Sequence, residues 1–161
     1  MRGGALPAAL LCAALGLGLA SAERRAALPG LAVLVVTACA VAVGSIPGTW
    51  SDAVFLGCWT SVIGSAAIVH APRDLKDWQA LALSLNAGVW TGAVIALAPS
   101  KGDLLEALPV ALCALPAARA RRQGQAIVLK VLASWLIAVA VLGATLQFLP
   151  ATPGYLADHM E

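Results

Sequence analysis

The run WQALALSLNAGVWTGAVIALA (residues 78–98) decides the fold class, because it has no charged residue over a length that can cross a bilayer. A transmembrane helix needs about 20 consecutive, mainly apolar residues. Gln79, Ser84, Asn86 and Thr91 are polar but uncharged. The run therefore predicts a membrane-spanning helix, and it raises the question of what the polar positions inside that helix do.

The composition of the whole chain gives the same indication. Of the 161 residues, 61% are hydrophobic and 11% are charged, and the mean hydropathy is +0.90. An average soluble domain has about 25% charged residues, and a soluble fold of this size leaves much of its surface in water. We therefore expect a single domain over residues 1–161 whose solvent is the lipid bilayer. The net charge of +2 is too small to indicate nucleic acid as a partner.

Six apolar runs, separated by short polar breaks, predict an all-α polytopic bundle of about six transmembrane helices. The runs do not alternate apolar and polar residues in the way that the strands of a β-barrel do. The runs cover residues 5–22, 28–46, 53–71, 78–98, 104–118 and 126–149, and a short tail follows at 150–161. The second, third, fourth and sixth runs fit the length of a span well.

The first run has two interpretations. Arg2, the apolar stretch and Ala20-Ser21-Ala22 together resemble a secretory signal with its cleavage site. A retained first helix would have the same composition. We expect retention, because cleavage after Ala22 would leave Arg24 and Arg25 on the translocated side of the membrane.

The fifth run is short, since 15 helical residues extend about 22 Å and the hydrocarbon core is about 30 Å thick. Pro109 and Pro116 are seven residues apart, so both lie on one face, where they should kink the helix. The run either spans with local thinning of the bilayer or forms a broken or re-entrant helix.

The basic residues predict the orientation. If all six runs span and the N-terminus is outside, the cytoplasmic breaks contain seven basic residues and the outer side contains Arg2 and Lys101. This is a clear positive-inside bias, which places both termini on the outer side of the inner membrane. If the fifth run does not span, the better arrangement has the N-terminus inside and a weaker bias. The seven cytoplasmic residues are Arg24, Arg25, Arg73, Lys76, Arg119, Arg121 and Arg122.

Small residues recur at four-residue intervals in the third and fourth runs. Such positions lie near one helix face and let two backbones approach closely in lipid. We predict a helix-packing role for them, either within an antiparallel hairpin of these two consecutive helices or against a neighbouring subunit. The positions are Gly57, Ser61 and Ser65 in the third run, and Ser84, Gly88 and Gly92 in the fourth.

Asn86 lies near the middle of the fourth run, where an amide without a hydrogen bond is costly. The favoured interpretation is a structural hydrogen bond to a neighbouring helix, which contributes about 1 kcal/mol. The functional interpretation is a polar path through the membrane, formed by Asn86, Trp90, Thr91 and Glu106. Glu106 also has a structural explanation, because a carboxylate in the first helical turn complements the helix dipole.

No recognised arrangement of catalytic, cofactor-binding or metal-binding residues occurs in the sequence. Neither a nucleophile-elbow motif nor a zinc-protease motif is found, and each cysteine lies alone in a separate apolar run. His70 with Asp74 and the tail residues Asp158, His159 and Glu161 have simpler interpretations as interfacial or solvated groups. We expect a non-catalytic subunit that packs with other membrane proteins or with itself. The alternative is a small oligomeric permease or channel.

Overall fold

The computed structural model describes residues 5–22, 24–72, 75–100 and 102–148, and these residues form a bundle of helices. The prediction of an all-α fold is confirmed for them. The predicted tail at 150–161 lies outside the described residues. The α-helices are α1 (Ala5–Leu19), α2 (Arg24–Ala42), α3 (Ser51–Ala67), α4 (Asp77–Leu97), α5 (Asp103–Ala107), α6 (Ala114–Arg122) and α7 (Ala126–Leu146). Short 3₁₀ helices cover Gly48–Trp50, Ile68–His70 and Leu108–Cys113.

Four stretches are long and apolar enough to cross a membrane, with mean hydropathies between 1.6 and 2.3. They are Arg25–Ala42, Gly48–His70, Asp77–Leu97 and Ala126–Leu146, and they correspond to the second, third, fourth and sixth predicted spans. The second begins and ends a few residues earlier than predicted, at Arg24 and Ala42 rather than near 28 and 46. The helix of the first run, α1, has 15 residues and is shorter than these four.

The centre of the bundle is α1. Most of its side chains are buried, and Leu11, Cys12 and Leu15 are 0% exposed. The helix packs against α3, α4, α5, α6 and the 3₁₀ helix Leu108–Cys113. A helix that is apolar around its whole circumference is expected at the centre of a bundle, so the apolar composition of α1 agrees with its position.

The fifth run is a continuous helical path of changing geometry, here called the broken segment (residues 103–122). It passes from α5 through the 3₁₀ helix Leu108–Cys113 into α6. The change begins at Pro109, in the first turn of the 3₁₀ helix, because proline removes an α-helical hydrogen bond. Pro116 lies in the first turn of α6, where proline is tolerated. Since a 3₁₀ helix rises about 2.0 Å per residue, the broken segment has a contour of about 33 Å.

A close contact holds the broken segment against α1. A Cβ atom added at Gly16 would lie 2.5 Å from Cys113 Sγ and 3.0 Å from Ala111 O. The Cys113 thiol also donates a weak hydrogen bond to Ala13 O at 3.6 Å. Gly16 is therefore the position that allows the backbone of the 3₁₀ helix to approach the central helix.

Several pairs of packed helices are antiparallel. α1 and α4 are antiparallel, because Cys12 contacts Thr91 while Gly18 faces Leu83, further toward the start of α4. α3 and α7 are also antiparallel, since Trp59 packs on Gly143 and the far end of α3 reaches Ser134. α2 and α4 run in the same direction. The bundle therefore has two distinct ends.

The two ends differ in charge. At one end, Leu75 N donates to Ser21 O at 3.1 Å, which joins the α1–α2 connection to the α3–α4 connection. The end of α6 and the start of α7 lie beside these connections. All the lysine and arginine side chains that the structure describes belong to this basic end: Arg25, Lys76, Arg119, Arg121, Arg122 and Lys130. The start of α3 and the α4–α5 connection form the opposite end, which carries the carboxylates of Asp52, Asp103 and Glu106, whereas Asp77 is the one described carboxylate at the basic end.

Candidate functional site: the packing seam and the Asn86 cluster

The small residues of α4 pack against α2. A Cβ atom added at Gly88 would lie 2.7 Å from Thr37 Cβ and 3.0 Å from Leu34 O. At Gly92 it would lie 2.6 Å from Ala38 O. These distances are shorter than van der Waals contact, so both glycines are positions where the two backbones meet. The predicted hairpin partner for this stripe, α3, is therefore wrong.

The α2–α4 contact continues toward the basic end at Ser84, which meets Gly30. A Cβ atom added at Gly30 would lie 2.9 Å from Ser84 Oγ. We call this contact the α2–α4 seam, formed by Ser84, Gly88 and Gly92 on α4 and by Gly30, Leu34 and Ala38 on α2. It joins two parallel helices that are not consecutive in the chain. Because α3 lies between α2 and α4 in the chain, no short loop joins the two helices. The residue spacing within either helix does not indicate that they pair.

The stripe on α3 faces more than one neighbour. The ring of Trp90 on α4 covers Gly57, and Ser61 is bonded to α4, whereas Ser65 lies against α1, where its carbonyl oxygen faces Gly18. Because each four-residue step rotates about 40° around a helix, the direction changes by about 80° from Gly57 to Ser65. Ser65 Oγ and Ser84 Oγ are buried and make no hydrogen bond to the described residues.

Asn86 is part of a hydrogen-bonded cluster that joins α3 to α4. Its Nδ2 donates to Ser61 Oγ at 2.9 Å, and its Oδ1 accepts from Trp90 Nε1 at 3.1 Å. The side chain is nevertheless exposed on the outer surface of this chain, beside the exposed Leu85 and Val89. We call Ser61, Asn86 and Trp90 the Asn86 cluster. It is a polar group beside the exposed apolar side chains of Leu85 and Val89.

The four residues of the predicted polar path lie on different surfaces. Asn86 and Trp90 are bonded to each other, whereas Thr91 is 0% exposed and its Oγ1 lies 3.9 Å from Cys12 Sγ on α1. Glu106 is exposed on α5, toward the end of the bundle opposite the basic end. The structure therefore groups Asn86 with Trp90 and directs Thr91 toward the central helix.

Sequence reasoning missed a second stripe of small residues, on the outer surface of α3. We call it the α3 outer face, and it consists of Ala53, Thr60, Gly64 and Ala67, all exposed. A Cβ atom added at Gly64 would meet no atom within 4 Å. Gly64 is one turn from Ser61, so the α3 outer face adjoins the Asn86 cluster. The sequence does contain a pattern that indicates this stripe, namely the four-residue spacing from Thr60 to Gly64.

The histidine and the cysteines have local partners. His70 Nε2 lies 3.1 Å from Ser134 Oγ on α7, and Asp74, its predicted neighbour, lies outside the described residues. All four cysteines are free thiols. Cys12 and Cys58 are buried, Cys113 is half-buried, and Cys39 is exposed on α2. Within the residues that the structure describes, no three His, Cys, Asp or Glu side chains are grouped so that they could hold a metal ion.

Comparisons with known proteins identify no relative. No protein-family model matches the chain, and neither a curated protein nor a solved structure matches it.

Proposed function

We propose that the chain is an inner-membrane protein in which six segments span the bilayer, with the basic end in the cytoplasm. Four helices have the required length and composition. The antiparallel packing of α1 with α4 and of α3 with α7, together with the contour of the broken segment, supports two further spans. α1 is shorter than the hydrocarbon core, and a short span is accommodated by local thinning of the bilayer at modest cost.

The orientation is supported by the separation of charge between the two ends. The basic end carries all the described lysine and arginine side chains and one described carboxylate, Asp77, whereas Asp52, Asp103 and Glu106 lie toward the opposite end. The positive-inside rule places such a basic end in the cytoplasm. Both termini are then on the outer side, since α1 begins and α7 ends at the opposite end.

Thiol labelling tests this orientation. In a variant whose own four cysteines are replaced by alanine, we expect an impermeant maleimide to label Gly48→Cys in right-side-out vesicles. Lys76→Cys and Gln123→Cys should react only after the vesicles are opened, because both positions belong to the basic end. Labelling of residues 76 and 123 in sealed vesicles, with residue 48 protected, would reverse the orientation.

Within the membrane, we propose that the protein is a non-catalytic subunit that packs against another transmembrane helix through the α3 outer face and the Asn86 cluster. The observation that carries this proposal is the exposure of Asn86. A polar side chain that faces hydrocarbon is costly, and its usual position in a membrane protein is an interface. Gly64, which has open space around it, adjoins this position and would let a partner backbone come close.

Two substitutions test the assembly surface without disturbing the seam. Asn86→Leu should leave the chain folded, because it removes hydrogen bonds that contribute about 1 kcal/mol each in a membrane. Gly64→Leu should also leave it folded, since nothing lies within 4 Å of the added Cβ. We expect both variants to lose the assembly that the unchanged protein shows by size-exclusion chromatography in mild detergent.

Leu85→Ala is the matched control for these variants. Leu85 is 51% exposed and lies next to Asn86 on α4, but it offers no polar group. Its substitution should leave the assembly intact. If Asn86→Leu and Gly64→Leu assemble as the unchanged protein does, this surface is not the interface.

A small oligomeric permease is the second candidate, and the buried hydroxyls of Ser65 and Ser84 favour it. Buried polar groups are usually hydrogen-bonded, either within the protein or to ordered water. Two buried hydroxyls that have no hydrogen-bond partner among the described residues are therefore positions at which water would bind. In this alternative, Asn86→Leu would leave the oligomer intact and abolish solute movement.

A further inference from the structure

A groove opens at the basic end, between the end of α1, the start of α2 and α6. Its volume is about 590 Å³, within the range of about 300–1,000 Å³ that is typical of ligand sites. The walls are mainly apolar and include Ala27, Leu28, Leu115 and Ala118. Ser21 also lines the groove. Its hydroxyl donates a hydrogen bond to Gly18 O, three residues earlier in the chain, at 2.6 Å.

The groove is open to the outer surface of the bundle. Leu28 is 68% exposed and Leu115 is 58% exposed, so its apolar rim lies on the outer surface of the helices. An acyl chain could therefore enter from the bilayer without crossing the protein.

Two arginines complete the groove. Arg121 and Arg122 line it at the end of α6, and Arg122 Nε donates to Ala118 O at 3.1 Å, which orients the guanidinium group. Guanidinium groups bind phosphate oxygens through charge-assisted hydrogen bonds. A second explanation for these arginines is that cations near a helix C-terminus complement the helix dipole. That explanation does not account for the apolar groove beside them.

We propose that this groove binds an anionic phospholipid, with the phosphate at Arg121 and Arg122 and part of an acyl chain along Leu28, Leu115 and Ala118. The shape, the apolar walls and the positive charge at one end match the two parts of such a lipid. Basic sites between helices at the cytoplasmic side of a membrane are suited to anionic headgroups. This inference needs the protein to be in a membrane but is independent of the assembly surface on α3 and α4.

Native mass spectrometry of the detergent-solubilised protein tests the site, with phosphatidylglycerol and phosphatidylcholine of the same acyl chains as probes. We expect tighter binding of phosphatidylglycerol, and roughly twenty-fold weaker binding in the Arg121→Gln/Arg122→Gln double variant, because each basic residue contributes about five-fold toward an anionic headgroup. Arg119→Gln is the matched control, since Arg119 lies on the same helix but does not line the groove. It should bind phosphatidylglycerol as the unchanged protein does.

Ala118→Phe tests the acyl-chain part of the site without changing its charge. The larger side chain would fill the groove, so the bound phosphatidylglycerol should be lost while the fold is kept. This variant also keeps the proposal testable if the arginine variant fails to fold. Inorganic phosphate is the third probe, and it should not displace the lipid at equal concentration.

Four results would overturn the proposal. Equal binding of phosphatidylglycerol and phosphatidylcholine would mean that the arginines do not recognise the headgroup. An equal loss in Arg119→Gln would indicate a diffuse basic surface. Displacement by inorganic phosphate, or full binding in Ala118→Phe, would indicate an anion site without an acyl-chain groove.

Discussion

Replacing Gly92 by leucine is expected to separate α2 from α4 and to leave no monodisperse protein in mild detergent. A Cβ atom at this position would lie 2.6 Å from Ala38 O and 2.7 Å from Val41 Cβ. The carbonyl belongs to the backbone of α2, so the contact is relieved only if the helix moves. Overpacking of this kind costs about 1–3 kcal/mol and occasionally more, and in lipid no hydrophobic force restores the lost contact.

Gly88→Leu should have a similar effect, since Thr37 Cβ and Leu34 O lie 2.7 and 3.0 Å from the added Cβ. Size-exclusion chromatography in mild detergent would measure how much monodisperse protein each variant gives. Thermal unfolding would measure the melting temperature of the protein that remains folded. Gly64→Leu is the control for the volume of leucine in a membrane helix, because Gly64 has open space around it. If the Gly92 and Gly88 variants melt at the temperature of Gly64→Leu, the α2–α4 seam does not hold the bundle together.

The second large effect is expected at the centre of the bundle, where Leu15→Ala should destabilise the protein by about 2 kcal/mol. Leu15 is 0% exposed, and its removal leaves a cavity among several helices. Substitutions of this kind in soluble proteins cost about 2–5 kcal/mol. We expect the lower end, because in a membrane the unfolded reference state is also apolar and the loss is mainly one of packing.

Leu6→Ala is the matched control for this prediction. Leu6 lies on the same helix but is 63% exposed, so its truncation removes few contacts. Thermal unfolding in detergent should place Leu6→Ala near the unchanged protein and Leu15→Ala well below it. Equal melting temperatures for the two variants would mean that α1 is not the central helix, which is also what a cleaved first segment would give.

The lengths and positions of most helices could be predicted from the sequence, because a span is a local property of about 20 residues. The run 78–98 becomes α4 with a shift of one residue at each end. The fifth run was harder to predict. Pro109 indicated a departure from α-helical geometry, but not that a 3₁₀ helix would lengthen the path, since that geometry depends on packing against Gly16 of α1.

The pairing of helices could not be predicted in the same way. Four-residue spacing identifies a face suited to close approach, but it does not specify the helix that meets it, because that choice depends on all the other segments. The stripe with Gly88 and Gly92 therefore packs on α2 rather than on α3. For Asn86, sequence position indicated a hydrogen bond to a neighbour, and Ser61 accepts one. The exposure of the Asn86 side chain depends on which helices surround α4. That arrangement could not be predicted from the sequence.

The composition of the complex extracted in mild detergent tests the proposed subunit role most directly. The protein would be purified from its native membrane, and native mass spectrometry would identify the chains that remain bound and their stoichiometry. We expect at least one other transmembrane polypeptide in a fixed ratio, and its loss in Asn86→Leu and Gly64→Leu while Leu85→Ala retains it. A complex that contains copies of this chain alone, keeps its stoichiometry in Asn86→Leu and transports a solute would contradict the account and establish the permease alternative.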